Sequence, residues 1–215
     1  MIEYCTATNI TGPWTYQGII QENVNNSFTT HPGIIDYKGK SYFFYHNGSL
    51  PTGGSYRRSV CVDYMYYNED GTIQKVIPTL RGVGVTAANK QIQIDRYTQL
   101  SEQGTSIAFL DTLNTFKGWK TIFNGAGAWL QYNSVDFGSK PLKTVSVNAI
   151  STDGGVLQLR ANSITGPVIA ELRIAKSNEW KLTKATVLKT QTGVQNLFVV
   201  SKDGKQVEVD WISFE

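Results

Sequence analysis

In the stretch VIAELRIA (168–175), Val168, Ala170, Leu172 and Ile174 fall on one face, and Glu171 and Arg173 on the other. Side chains alternate across a strand with a period of two, so this pattern buries one face and wets the other only as a β-strand. LKTVSVNAIS (142–151), GVLQLRAN (155–162), AWLQYNSVDF (128–137) and QNLFVVSKDGKQVEVDWISF (195–214) alternate in the same way. Between them STDGG, SITGP and SKDGK supply turn formers at the spacing of a β-sandwich. No window of a dozen residues keeps apolar positions at a 3.6-residue period, so the chain is predicted to be all-β.

The first third reads as strands of a different kind. SYFFYHN (41–47) is a short aromatic run entered through the turn DYKGK, with Gly39 placed to take a positive φ. SVCVDYMYY (59–67), the turn NEDG (68–71) and a short strand TIQKVI (72–77) continue an antiparallel meander. PTLRGVGVTAANK (78–90) has turn formers and small residues without a period. A boundary is therefore predicted there, with residues 85–90 as a linker. About 125 residues then remain, enough for a sandwich to bury its own core.

Composition removes several classes of function. The formal net charge is +3, and no Lys/Arg block exceeds Arg57-Arg58, so no nucleic-acid footprint is expected. No apolar run approaches the roughly 18–20 residues that span a bilayer, so no membrane partner is expected either. Cys5 and Cys61 are the only cysteines. Both sit in strand-like segments and read as buried free thiols, a disulfide being the other reading, with no CxxC or His/Cys cluster for zinc.

Two resemblances follow from longer stretches. TNITGPWTYQGII, HPGIIDYKGKSYFFYHN and YRRSVCVDYMYYNEDGTIQKVIPT, in that order, resemble the last part of a family 43 glycoside hydrolase, a five-bladed β-propeller. QIQIDRY, GAWLQYNSVDFG, LQLRANSITGPVIAEL, SNEWKLTKATV, GVQNLFVV and VEVDWISF resemble a family 6 carbohydrate-binding module, a jelly-roll β-sandwich. The resemblances imply a partial propeller over 1–84 and a carbohydrate-binding module over 91–215. They also imply a partner: a plant cell-wall polysaccharide, namely xylan, arabinoxylan or arabinan. The parent enzyme would be secreted.

Glycoside hydrolysis needs two carboxyl groups across the bond, roughly 6.5–9.5 Å apart when the configuration inverts. Family 43 takes its two Asp and one Glu from the first three blades. Glu3, Glu22, Asp36, Asp63, Glu69 and Asp70 match none of those positions, so no catalytic residue is assigned. An upstream propeller half would have to supply them, and without it two blades would show apolar faces to water. His31, in HPG, resembles the family's axial histidine; its other reading is a hydrogen-bonded His before the turn-forming Pro32. Either Arg57 or Arg58 resembles the arginine near the substrate in the last blade.

For the second part, flat aromatic faces are needed against the C–H faces of sugar rings, with a few polar groups to choose among hydroxyl patterns. By resemblance the second family aromatic falls on Trp180. The first falls near Phe123, with Trp119 as the fallback. The family Asn falls close to Glu208, which accepts hydrogen bonds but donates none when ionised. Trp129 fits either core packing or a second site on the concave face, whereas Trp211 alternates with Val207 and Val209 and reads as core. The family's structural calcium would be held by Asp95 and Asp210, with Gln93 where a further acid is common. Calcium takes six to eight oxygens, so one missing charge weakens the site.

Overall fold

The computed structural model describes residues 1–23, 27–49, 53–79 and 82–215. They form two compact units, Met1–Val83 and Gly84–Glu215. The protein is all-β: among the described residues the one helical piece is the 3-10 turn Thr115–Lys117.

In the first unit β1 (Ile2–Thr6) pairs antiparallel with β2 (Thr15–Gln21). A separate meander is built from β3 (Gly33–Tyr37), β4 (Lys40–Asn47) and β5 (Ser59–Met65). The β3–β4 hairpin closes on Lys38 and Gly39, at φ 49° and 72°. Two consecutive left-handed residues match the twist of the strands they join, and Gly adopts that conformation without a Cβ penalty. Alternation does the rest: Phe43, Tyr45 and Met65 are buried with Ile2, Ile20 and Val76. TIQKVI does not form a strand; it is held by a single bridge between Tyr67 and Ile73, and by Val76 N–H donating to the Ile20 carbonyl at 2.7 Å.

Buried Asp63 ties the end of this unit down. It accepts from Tyr45 Oη (2.7 Å), Thr79 N (3.0 Å) and Thr79 Oγ1 (2.5 Å). Burial and the Asp63 carboxylate push the Tyr45 hydroxyl far above the usual phenol range, so this tyrosine stays a donor. The thiols differ from expectation. Cys61 is half-buried, but Cys5 is exposed on the bulged β1–β2 ribbon.

The second unit is a β-sandwich. One sheet runs β15 (Ser177–Thr186), β12 (Thr144–Ser151), β17 (Val207–Phe214), β10 (Trp119–Phe123), β9 (Thr105–Phe109), with β7 (Ile92–Gln93) also on β17. The other runs β14 (Val168–Ile174), β13 (Gly155–Ala161), β16 (Val194–Ser201), β11 (Trp129–Asp136), β6 (Thr86–Ala87), with β8 (Gln99–Leu100) also on β11. Val145, Val147, Leu157, Leu159, Leu172 and Leu197 are fully buried between the two sheets.

Residues 85–90 are not the expected linker. Thr86 and Ala87 pair in parallel with Val135 and Asp136, Ala88 is fully buried, and its carbonyl accepts from Phe214 N at 2.9 Å. Small residues without a period are what a tightly packed edge segment also requires. Trp211 is corrected too. A β-bulge on β17 sets Asn148 opposite Trp211 but Ala149 opposite Val209, which shifts the inward phase from Val207 and Val209 to Ile212 and Phe214. Trp211 is left half-buried.

Candidate sugar-binding groove

One groove crosses the first sheet of the sandwich from edge to edge. Each of its five main strands contributes one lining residue: Trp180 on β15, Asn148 on β12, Asp210 on β17, Lys120 on β10 and Phe109 on β9. Four strand spacings of about 4.8 Å make the floor about 19 Å long, enough for an oligosaccharide. The volume is about 560 Å³, in the range of pockets that hold small organic ligands. The wall beyond Phe109 comes from Leu110, Asp111, Thr112 and Lys117.

The polar groups are paired with one another. Asn148 Nδ2 donates to Asp210 Oδ2 at 3.0 Å, Lys120 Nζ lies 2.6 Å from Glu208 Oε2, and Lys117 Nζ lies 2.8 Å from Asp111 Oδ2. Burial pushes the Asp210 carboxyl above the ordinary range, with the Asn148 bond opposing the shift. The Lys117 hydrogen bond instead holds Asp111 low. The charged lining residues are two of each sign, Asp111 and Asp210 against Lys117 and Lys120, so the lining offers no strong excess of either, and this suits a neutral, hydroxyl-rich ligand.

The structure sorts the residues expected to bind sugar. Trp180 is half-buried and lines the groove. Phe123 is fully buried in the core, because it shares the inward phase of β10 with Thr121, and it presents no face to the groove. Trp119, the fallback, stacks on Phe109 with ring centroids 4.0 Å apart and 24° between planes. Phe109 is thus the aromatic that lines the groove, and Trp119 backs it. Sequence reading missed Phe109; the only available sign was its cross-strand position opposite Trp119. Glu208 is held by Lys120 and by Gln206 Nε2 at 3.2 Å. Trp129 lies in neither the core nor the groove: it is half-buried on the other sheet, 5.8 Å from the Phe198 ring.

Asp95, Gln93 and Asp210 come from adjacent segments. Gln93 pairs with Trp211, and Ile94 N donates to the Asp210 carbonyl at 3.0 Å. Burial raises the Asp95 carboxyl, and the nearby Asp210 charge adds to that shift. Two carboxylates and an amide oxygen do not make a calcium shell unaided, and among the described residues no three His, Cys, Asp or Glu side chains gather as one.

In the first unit His31 and Arg58 meet around a residue the sequence did not single out. The His31 and His46 rings are 5.4 Å apart. His46 Nε2 lies 2.8 Å from the Thr29 carbonyl and 3.2 Å from Arg58 Nη1, so one tautomer allows only one of these hydrogen bonds. Arg58 Nη1 also donates to Thr29 Oγ1 at 2.9 Å. Arg57 is exposed, and its backbone forms a bridge with Gly54. Of the two arginines, Arg58 therefore joins the histidines.

Fold and groove together define a β-sandwich with an aromatic residue at each end of a solvent-open groove. The chain belongs to carbohydrate binding module family 6, whose model matches residues 98–215. It is 26% identical to an arabinoxylan arabinofuranohydrolase of Paenibacillus polymyxa over 93% of its length, and spans 33% of that relative. Its fold is similar to a glycoside hydrolase family 43 arabinoxylan arabinofuranohydrolase from Bacillus subtilis in complex with cellotetraose. That match has a TM-score of 0.67 and 22% identity, over 99% of this chain and 47% of the other. CsCBM6-3 from Clostridium stercorarium in complex with cellobiose matches 61% of this chain and 97% of its own, with a TM-score of 0.55 and 21% identity. The chain thus spans a third to a half of these hydrolases and nearly all of a family 6 module.

Proposed function

We propose that residues 84–215 bind a neutral plant cell-wall polysaccharide of the xylan or arabinoxylan type, with arabinan as a related ligand. The observation that carries this reading is the row Trp180–Asn148–Asp210–Lys120–Phe109, an aromatic at each end and hydrogen-bonding groups between. Aromatic faces stack on sugar C–H faces, while an amide, an ammonium and a carboxylate provide both donors and acceptors for hydroxyls. Affinity electrophoresis in gels containing arabinoxylan tests it. The chain is expected to be retarded and Trp180→Ala to run free. Equal migration with and without polysaccharide would refute the reading.

A second reading concerns the first unit: residues 1–83 close a family 43 propeller whose catalytic carboxylates lie on an upstream half. The His31–His46–Arg58 cluster favours it, because a guanidinium and two imidazoles drawn together in this way suit a cavity that receives a sugar. In a complete site these groups would orient substrate hydroxyls, while an upstream acid and base invert the anomeric centre through a water. The parent enzyme would then act outside the cell, where its polymeric substrate lies. Nitrophenyl arabinoside and xyloside hydrolysis, measured with and without the upstream half, tests this; no turnover with both halves present would exclude it. Calcium on Asp95, Asp210 and Gln93 is proposed as a structural aid that fastens β7 to β17.

A further inference from the structure

The loop of residues 110–118 carries two side chains that the groove itself does not explain. Leu113 is 97% exposed and Phe116 fully exposed. Single exposed apolar residues are ordinary; a Leu and a Phe at the tip of one braced loop are less so.

The loop is held from within. Asp111 Oδ1 accepts from Leu113 N (2.8 Å) and Asn114 N (3.3 Å), and its Oδ2 binds Lys117. Asn114 Oδ1 caps the 3-10 turn by accepting from Phe116 N at 3.2 Å, and Leu110 N donates to the Gly118 carbonyl at 2.9 Å. These bonds reduce the conformational entropy that binding would otherwise have to remove, so the tip is presented ready-made. The same loop supplies Leu110, Asp111, Thr112 and Lys117 to the groove wall at the Phe109 end. Leu113 follows one lining residue and Phe116 precedes another.

We infer that Leu113 and Phe116 form an outlying subsite that grips a glycan chain as it leaves the groove past Phe109. This rests on the proposed sugar-binding reading and extends it: the ligand is a chain longer than the groove floor, bound along its interior and not by its end. The occupant is a neutral glycan, because the tip is continuous with the groove and the two charged side chains of its loop, Asp111 and Lys117, neutralise each other.

Calorimetric titration of the full chain with xylotriose and xylohexaose tests the subsite, comparing the wild type with the double variant Leu113→Ser, Phe116→Ser. Both positions are solvent-exposed, so the variant keeps the fold. Losing the apolar tip is expected to weaken xylohexaose about tenfold and to leave xylotriose unchanged. Unchanged xylohexaose affinity, or an equal loss for both sugars, overturns the subsite while leaving the groove reading intact. Failure of the wild type to bind either sugar removes both. Self-association of the wild type in sedimentation, abolished in the variant, would assign the tip to a second copy of the chain and overturn the inference.

Discussion

Trp180 and Phe109 stand on the two edge strands of one sheet path, β15 and β9, and both line the same groove. Trp180 is half-buried in the groove, whereas Trp129 is half-buried on the opposite sheet. Their substitution should separate the two faces. Trp180→Ala should lower affinity for arabinoxylan by about tenfold or more, and Trp129→Ala should leave it within about twofold, as measured in affinity gels.

Phe123 makes the converse case. It is fully buried between β9 and β17. Phe123→Ala should cost about 3–5 kcal/mol of stability through the cavity it leaves, read as a shift in the urea midpoint. Its folded fraction should still bind polysaccharide. Loss of binding at unchanged stability would return Phe123 to the site.

Acid stability should depend on Glu171. Its carboxylate accepts from Lys202 Nζ at 2.8 Å, Gln158 Nε2 at 3.1 Å and Arg173 Nη2 at 2.8 Å, and the Lys202 bond does most to hold its carboxyl below the ordinary value. A depressed carboxyl contributes stability that is present above the unfolded-state value and lost as pH falls through the folded one. Glu171→Gln should therefore flatten the acid limb of a urea-midpoint profile, with little change in slope at neutral pH.

Calcium should raise the melting temperature of residues 84–215. A few kcal/mol of linkage at saturating ion would give a shift of roughly 4 °C or more, removed by EGTA and absent in Asp95→Asn. Identical melts with calcium and with EGTA would dismiss the metal.

Much of this was legible in the sequence because its cause is local. Alternation in VIAELRIA and LKTVSVNAIS dictated strands buried on one face, and Gly39 marked the hairpin that Lys38 and Gly39 form at positive φ. Trp180 was picked out by the family resemblance and not by local pattern, and the segment before it, SNE, is not the polar turn it looked like but the start of β15.

What the chain alone could not decide depended on partners distant in sequence. A bulge opposite Asn148 and Ala149 changed the phase of β17, took Trp211 out of the core and left Asp210 beside Asn148 in the groove. Alternation counts residues along one strand, whereas a bulge is set by how two strands fit. Phe109 entered the site, and Phe123 left it, by the same logic: β10 turns Phe123 inward, while Phe109 ends its strand at the groove with Trp119 packed against it. Sequence determined which segments are strands and which residue types could meet a sugar; cross-strand register, a non-local property of packing, determined which of them line the groove.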